Sequence, residues 1–272
     1  MSSTMPLRTP TFAIGDIHGQ YEKVTHDLRE AALLSSDLRW AGADSALWLI
    51  GDLVDRGPDG IKVIDLAMRL QREAAAAGGS TTTLIGNHDI LLLAAYHFGD
   101  WPRKRRAESF TEIWERNGGN PEDLDLLNGS QVAWLSNLPA MAHCGFFFLT
   151  HGDTMLYTRY GRTVADLNQN IQDLRHTMDP VAWYRLLSEF SEHRVFTGST
   201  GPRRAREFLR HFGGQRIVHG HTPVSRITGE NPAQVTGPLI YADGLCIDVD
   251  GGMYLGGPGF VYRLPDPVPD EA

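Results

Sequence analysis

Five short polar clusters in this 272-residue sequence contain residue types that bind metal ions, and each directly follows an apolar run. In sequence order they are Gly15-Asp16-Ile17-His18-Gly19, Gly51-Asp52-Leu53-Val54-Asp55-Arg56-Gly57, Gly86-Asn87-His88-Asp89, His151-Gly152-Asp153 and His219-Gly220-His221-Thr222. Side chains two positions apart in an extended segment point the same way, so Asp16 and His18 can hold one cation. The glycines around them allow close approach of the backbone.

The later clusters predict a second cation beside the first. The carboxylate of Asp52 can bridge two ions, while Asn87, His151 and His221 offer neutral oxygen and nitrogen donors. This mixed set without thiolate suits manganese, iron or zinc better than copper(I) or an iron–sulfur cluster, and we predict manganese. Two such cations can clamp a phosphoryl oxygen and turn a bridging water into hydroxide that attacks phosphorus. The predicted chemistry is hydrolysis of a phosphate ester or anhydride.

Three neighbouring residues can serve the same reaction. Arg56 carries a forked donor that matches the oxygens of a phosphate group. His88, next to the ligand Asn87, is placed to protonate the leaving oxygen, and Asp55 can hold its imidazole in the useful tautomer. We therefore predict His88, Asp55 and Arg56 as catalytic residues, with Arg56 and Asn87 also contacting the substrate.

The segments between the clusters predict a scaffold that brings them together. Five apolar runs are short enough to be buried strands, and they cover residues 11–14, 46–50, 81–85, 146–150 and 216–218. Helical spacing of apolar residues separates the first three runs, over 21–34 and 60–77. Alternating strands and helices are typical of a sheet with parallel crossovers, which binds ligands at the carboxyl ends of its strands. All five clusters fall at that edge.

The rest of the chain predicts further helices and a region of paired strands. Residues 90–137 predict a helical insertion, and 163–190 and 202–212 predict helices. Pro238 to Leu264 predicts paired strands with glycine turns.

No functional role is predicted for two charged segments. The basic run Arg103-Lys104-Arg105-Arg106 predicts a solvated helix face rather than a phosphate site. The tail, residues 265–272, is expected to be frayed. Because we find no repeat and no linker, we predict one domain over residues 1–272.

Composition narrows the classes of function. The chain is 42% hydrophobic and 21% charged, which is typical of a soluble globular protein. Its net charge of −8 argues against a nucleic-acid partner or an anionic membrane surface. The start lacks a long apolar leader and no run reaches the length of a membrane span, so we predict a cytoplasmic protein. Cys144 and Cys246 lie in apolar runs and are predicted to be free thiols.

Taken together, GDIHG, GDLVDRG and GNHD, followed by HGD and GHT, resemble the motifs of the metallophosphoesterase superfamily. Within it they are similar to the calcineurin-like phosphoprotein phosphatase family, which includes serine/threonine protein phosphatases and bacterial diadenosine tetraphosphatases. The resemblance runs from about residue 11 to about residue 260. It implies an α/β fold of four layers, with two packed β-sheets flanked by helices. NGG at 117–119 and LSNLP at 135–139 are similar to words of the bacterial members.

The resemblance also implies a role for each motif residue. Asp16, His18 and Asp52 correspond to the ligands of one metal, and Asp52, Asn87, His151 and His221 to those of the second. Asp55 and His88 match the acid dyad of the family, and Arg56 matches one of its phosphate-binding arginines.

Three positions depart from the family pattern or leave a choice open. Asp153 stands where glycine is commoner, and it is either a partner of the site residues or a turn residue. His219 stands where an aromatic residue is frequent and is predicted to be a packed neighbour rather than a ligand. The second phosphate-binding arginine is predicted at Arg194, with Arg203 and Arg204 as alternatives.

The sequence therefore predicts a dimetal phosphomonoesterase that acts on phosphoprotein (serine/threonine) or small-molecule phosphates through metal-bound hydroxide. A dinucleoside polyphosphate hydrolase of the diadenosine tetraphosphatase type is the alternative, and a non-catalytic metal- or phosphate-binding module is a third hypothesis. A nuclease of the superfamily would carry a second histidine where this chain has Pro223. Residues 90–137 and 154–215 would select the substrate, and they match no substrate signature.

Overall fold

The computed structural model describes residues 9–102 and 108–265. The strands of these residues are Thr11–Ile14 (β1), Ala46–Leu49 (β2), Ser80–Thr83 (β3), Met141–Cys144 (β4), Phe147–Thr150 (β5), Arg216–His219 (β6), Leu239–Tyr241 (β7), Cys246–Asp248 (β8) and Tyr262–Arg263 (β9). The α-helices are Tyr21–Glu30 (α1), Gly60–Ala76 (α2), Asn87–Phe98 (α3), Phe110–Arg116 (α4), Pro121–Leu126 (α5), Gly129–Ser136 (α6), Val164–His176 (α7), Pro180–Phe190 (α8), Gly201–Phe212 (α9) and Val224–Thr228 (α10).

The strands form two sheets. The first sheet has the order β3-β2-β1-β9, in which β1, β2 and β3 are parallel and β9 runs antiparallel to β1. The second sheet has the order β4-β5-β6-β8-β7, with β5, β6 and β8 parallel and antiparallel strands at both edges. Each sheet therefore has three adjacent parallel strands, and the predicted clusters follow strands of these parallel parts.

The two sheets pack on each other through an apolar core, and helices flank them. One buried cluster combines residues of the first sheet and its strand ends with residues of the second, namely Ala13, Ile50, Leu84, Phe147, Leu149, Val218 and Ile247. Helix α2 buries Val63, Ala67, Leu70 and Ala74, which follow one another at steps of four, three and four positions and so share one helix face. This is the predicted fold of two packed sheets flanked by helices.

Residues 90–137 contain most of α3 and all of α4, α5 and α6. Capping residues fix the starts of two of these helices. Ser109 and Glu112 form a reciprocal capping box at α4, and Asn128 caps α6. The basic run 103–106 and the tail beyond Pro265 lie outside the described residues.

The structure differs from two sequence-based expectations. The first predicted helix ends at Glu30 rather than at residue 34, because Ala32 adopts a left-handed conformation (φ 56°). The glycine-rich segment does not form one set of paired strands. Strands β7 and β8 pair in the second sheet, whereas β9 crosses to the first sheet after a 3-10 turn over Met253–Leu255.

Two further observations concern the cysteines and the length of the helices. Neither cysteine forms a disulfide within the described residues; Cys246 is buried and Cys144 is half-buried. Within the described part of the chain, no helix combines the length and apolar character needed to cross a membrane.

The loops after β2 and β3 lie in contact, and this leads to a test of the packing. A Cβ atom on Gly86 would overlap Oδ1 and the backbone nitrogen of Asp52. We expect Gly86→Ala to lower the free energy of unfolding by about 1–3 kcal/mol, because the crowded atoms include backbone that must shift. Urea denaturation measures the change. Gly129→Ala is the control, since a Cβ at that position meets nothing within 4 Å; equal effects of both variants would contradict the packing argument.

Candidate metal centre

The six predicted ligands come together where the strands end. In the first group, Nε2 of His18 lies 3.8 Å from Oδ2 of Asp16 and 3.6 Å from Oδ2 of Asp52. In the second, Nε2 of His151 lies 2.9 Å from Oδ1 of Asn87 and 3.1 Å from Nδ1 of His221.

Asp52 lies between these two groups. Its Oδ2 faces His18, while its Oδ1 lies 3.4 Å from Nε2 of His151. The two sets His18, Asp52, His88 and Asp52, His151, His221 each place their ligand atoms close enough to hold one ion, and Asp52 belongs to both. One carboxylate thus offers an oxygen to each of two adjacent sites.

Backbone carbonyl groups orient the imidazole rings. Nδ1 of His18 donates to the carbonyl oxygen of Val54, and Nδ1 of His151 donates to that of Ile50, both at 2.9 Å. Because a carbonyl oxygen only accepts, the proton of each neutral ring is on Nδ1. The Nε2 lone pairs therefore face the centre, in the tautomer that binds a metal.

Burial keeps these imidazoles neutral. It lowers the pKa of His18, His151 and His221, so all three are deprotonated near neutral pH. A metal ligand must be free of its proton, and these three residues meet that condition.

The carboxylates also fit a cation. Asp16 is fully buried, and its Oδ2 has no hydrogen-bond partner among residues 9–102 and 108–265. Burial raises the pKa of Asp16, and the charges of Asp250 and Asp52 raise it further. Buried anionic oxygens that face one another need a positive charge between them. With imidazole nitrogens and an amide oxygen, they form a donor set for borderline divalent ions.

Left-handed backbone conformations point the site residues inward. Positive φ angles between 48° and 72° occur at His18, Asp52, Asp55, Arg56, Arg194 and His221. Such conformations are uncommon for residues other than glycine and cost about 1–3 kcal/mol each. Their concentration here shows that the surrounding structure imposes them.

Asp89 holds the loop that carries Asp52. Its carboxylate accepts hydrogen bonds from the backbone N–H groups of Asp52 and Leu53, both at 3.0 Å, and of Gly86 at 2.9 Å. The backbone N–H of His88 donates to Oδ1 of Asp52 at 2.9 Å. The start of α3 and the loop after β2 are thereby joined by three hydrogen bonds.

A second hydrogen-bonded group lies beside the ligands. Nδ1 of His88 donates to Oδ2 of Asp55 at 2.6 Å, and Nε1 of Trp114 donates to Oδ1 of the same carboxylate at 2.7 Å. Both oxygens of this buried carboxylate are therefore fixed, which holds the His88 ring with Nε2 toward the cleft.

Arg56 lies across the mouth of the centre. Its two terminal nitrogens donate to Nε2 of His18 and to Nε2 of His88, each at 2.8 Å. The guanidinium carbon stacks 4.2 Å from the ring centre of Tyr254. The cationic fork thus sits next to both the predicted ligands and the predicted acid.

The centre opens into a cleft of about 350 Å³. Its lining includes Arg56, Asn87, His88, Asn117, Ser191, His193, Arg194, His221, Thr222, Pro223 and Arg226. Arg194 shares this cleft with Arg56, whereas Arg203 lines a different groove formed by α9 and the segment after it. Of the alternatives for the second arginine, the structure brings Arg194 to the site.

The two departures from the family pattern have defined surroundings. Oδ1 of Asp153 accepts a hydrogen bond from the backbone N–H of Arg194 at 2.6 Å, so Asp153 supports the strained residue rather than only forming a turn. His219 is fully buried, and its Nε2 lies 2.7 Å from the hydroxyl of Tyr241.

Comparison with known proteins places this arrangement in a family. The sequence profile of calcineurin-like phosphoesterases matches residues 9–225, which is most of the chain. The chain belongs to the calcineurin-like phosphoesterase family. This family implies a centre of two divalent cations, in agreement with the two ligand groups that share Asp52.

The relatives that this chain resembles are named for two different activities. The chain is 38% identical over 104 residues to Shewanella-like protein phosphatase 2 of Arabidopsis thaliana, which covers 38% of this chain and 25% of that protein. It is 34% identical over 131 residues to the symmetrical bis(5'-nucleosyl)-tetraphosphatase of Edwardsiella ictaluri, covering 48% of this chain and 38% of that one. The matches thus span less than two fifths of either relative.

Solved structures support the fold. A cold-active protein-tyrosine phosphatase of a psychrophilic Shewanella species superposes with a TM-score of 0.70 at 21% identity, covering 94% of this chain and 75% of that one. At this identity the likeness concerns the fold alone.

Sequence reasoning missed several of the described residues at the site, among them Trp114, Tyr254, His193 and Asp250. Trp114 and Tyr254 lie far in sequence from any motif, and only the fold brings them to Asp55 and Arg56. His193 lines the cleft with its ring 5.7 Å from that of His221, and its position beside Arg194 is the available signal in the sequence. Asp250 precedes two glycines and lies outside the five clusters, so the sequence carries no signal for it.

The shared position of Asp52 leads to a prediction about metal content. We expect Asp52→Asn to reduce the bound manganese from two equivalents to one or fewer, because the only carboxylate common to both groups loses its charge. Elemental analysis of the dialysed protein gives the stoichiometry. Asp27→Asn is the control, a buried aspartate in α1 outside the site. A variant at position 52 that retains two tightly bound ions would exclude the bridging assignment.

Proposed function

We propose that this family member is a phosphomonoesterase that acts on phosphoserine or phosphothreonine in proteins, or on small-molecule phosphates, with two manganese ions. Asp16, His18 and Asp52 would hold one ion, and Asp52, Asn87, His151 and His221 the other. When bound, the two cations polarise the phosphoryl group and activate a water molecule for attack on phosphorus.

The cleft residues would bind and orient the phosphoryl group. The fork of Arg56 donates to Nε2 of His18 and to Nε2 of His88, and a phosphoryl dianion is a much better acceptor for it. Arg194 would add a second cationic donor, and the hydrogen bond from its backbone to Asp153 fixes where its side chain begins. Asn87 would contact the substrate beside its metal.

The observation that carries the proposal is the hydrogen-bonded series Trp114, Asp55 and His88. It holds one imidazole nitrogen on a buried carboxylate and leaves the other facing the cleft. Once the phosphoryl group takes up the donors of Arg56, Nε2 of His88 is free to carry a proton and to give it to a departing oxygen. An alkoxide, such as that of serine, is a poor leaving group and needs this proton. The arrangement therefore suits alkyl phosphomonoesters, including phosphoserine and phosphothreonine.

The alternative, a dinucleoside polyphosphate hydrolase, is favoured by the similarity to the Edwardsiella ictaluri protein. Two features argue against it. A nucleotide leaves as a phosphate anion and has little need of an acid, and the part of the cleft lining that the structure describes contains no Phe, Tyr or Trp on which a base could stack. The phosphomonoesterase is therefore the function we propose.

A leaving-group comparison tests this proposal. We expect the wild type with manganese to hydrolyse a phosphoserine peptide, an alkyl phosphate and p-nitrophenyl phosphate, and to hydrolyse diadenosine tetraphosphate more slowly. His88→Asn should lose activity by about 10²-fold or more on the first two substrates, but much less on p-nitrophenyl phosphate, whose anion leaves unaided. Steady-state kcat/KM for each substrate gives the comparison, and both manganese ions should remain bound.

The control is His97→Asn, since His97 lies on the same helix in an aromatic cluster with Phe98 and Trp183. Equal losses on all substrates in His88→Asn would show that this residue does not act as the acid. Selective turnover of diadenosine tetraphosphate would support the alternative function. A wild type that binds manganese but turns over no substrate would indicate a binding module.

The indole of Trp114 yields a separate prediction. Trp114→Phe removes the donor to Oδ1 of Asp55, so the carboxylate loses one of the two groups that orient it. We expect kcat on alkyl phosphates to fall by about tenfold, the equivalent of one hydrogen bond to a charged group, with the metal content unchanged. Trp134→Phe is the matched control, because that indole donates to Gln71 on the outside of the protein. A Trp114 variant with full activity would show that Asp55 needs no second donor.

A further inference from the structure

Asp250 is a buried carboxylate beside the metal centre that no motif of the sequence includes. It follows β8, where the chain leaves the second sheet, and it is 0% exposed. Its backbone packs on Gly15, so closely that a Cβ there would lie 2.7 Å from the Cα of Asp250. Because Gly15 directly precedes Asp16, this contact brings Asp250 next to the first group of ligands.

Asp250 and Asp16 have the same incomplete set of partners. Oδ1 of Asp250 accepts a hydrogen bond from the backbone N–H of Gly252, and Oδ1 of Asp16 accepts one from that of His221, both at 2.9 Å. Oδ2 of each is buried and has no partner within the described parts of the chain. Each carboxylate is thus fixed by one oxygen and leaves the other unsatisfied.

The charges around these oxygens do not balance. After burial, the charge of Asp250 is the largest cause that raises the pKa of Asp16. The buried carboxylate of Asp52 raises the pKa of both Asp16 and Asp250. The positive group that acts on both Asp16 and Asp250 is Arg56, whose two terminal nitrogens donate to imidazoles. Three buried carboxylates that share one guanidinium can all be ionised only when further positive charge is present.

We infer that Oδ2 of Asp250 binds the cation held by Asp16 and His18, directly or through one water molecule. This inference rests on the metal centre of the proposed function and is independent of the substrate. It makes the two sites chemically unequal. The first is surrounded by three carboxylates and one imidazole, whereas the second has one shared carboxylate, an amide oxygen and two imidazoles.

This inequality has a consequence for metal preference. Carboxylate-rich sites favour hard ions such as manganese and magnesium, while imidazole-rich sites favour zinc and iron. The Asp16 site should therefore be the one that prefers manganese.

Manganese titration of two variants tests the inference. Asp250→Asn keeps the shape of the side chain and removes its charge. We expect one of the two manganese dissociation constants, measured by calorimetry on the full chain, to rise by about 10- to 100-fold while the other stays within about twofold. The control is Asp248→Asn. Asp248 is equally buried with an unpartnered Oδ2 in the described structure, and the charges that raise its pKa are those of Asp250 and Asp153 rather than Asp16. The asparagine Oδ1 can still accept the hydrogen bond that the backbone N–H of Asp250 donates to Asp248. It should leave both constants unchanged.

Thermal unfolding is a second test, in which the melting temperature of Asp250→Asn should shift in opposite directions without and with metal. After treatment with EDTA, Asp250→Asn should melt at the same or a higher temperature than the wild type, because it relieves repulsion among buried carboxylates. With manganese it should melt at a lower temperature, because it loses a ligand. A carboxylate with only a structural role would shift both temperatures in the same direction.

Unchanged manganese affinity in Asp250→Asn, or an equal loss in Asp248→Asn, would overturn the inference. If Asp250→Asn does not fold, Asp250→Ser removes the carboxylate and leaves room for water, and the same weakening of one site is expected. None of these measurements involves a substrate. A wild type that binds two manganese ions and hydrolyses no phosphate ester would therefore refute the proposed function and leave this inference standing.

Discussion

Buried negative charge governs the whole arrangement at the strand ends. Asp16 and Asp52 are at most 2% exposed, and Nε2 of the neutral His18 ring lies within 4 Å of both carboxylates. Water is largely excluded from this region, so the carboxylates cannot be solvated and can stay ionised only when cations compensate them. The unpartnered oxygen of Asp16 is the clearest sign of that requirement in the described residues. The rest of the structure can be understood as the means of holding these charges together.

The fold holds these charges close together because the parallel strands end at the same edge. Loops from both sheets meet at one edge, and each loop carries at least one donor. Hydrogen bonds from backbone N–H groups to Asp89, Asp52 and Asp16 fix the loops relative to one another. The large apolar core between and around the sheets offsets the conformational free energy that the left-handed residues cost. Bound cations would offset the remaining repulsion.

The sequence was sufficient for the parts of the site that depend on local pattern. A short apolar run followed by ligand-type residues locates a strand end, and the alternation of strands and helices implies a parallel sheet. Asp16, His18, Asp52, Asn87, His151 and His221 could therefore be predicted to meet. The choice of Arg194 over Arg203 needed the structure, because both arginines are exposed and neither adjoins a motif.

Other features depend on contacts between distant segments, which no local pattern shows. Trp114 reaches Asp55 across 59 positions, through a helix whose sequence only indicates an amphipathic surface. Strand β9 leaves the sheet of its neighbour β8 and pairs with β1, although its residues equally suit a hairpin. Asp250 has the same signature as any aspartate in a glycine turn. Its burial beside Asp16 exists only once the two sheets are packed.

The most direct test of this account is a crystal structure of the manganese-loaded protein, with data collected at the manganese absorption edge. The account predicts two anomalous peaks at the carboxyl ends of the strands, one next to Asp16 and His18 and the other next to Asn87, His151 and His221, with Asp52 contacting both. A single peak, or two ions of which only one contacts Asp52, would contradict it.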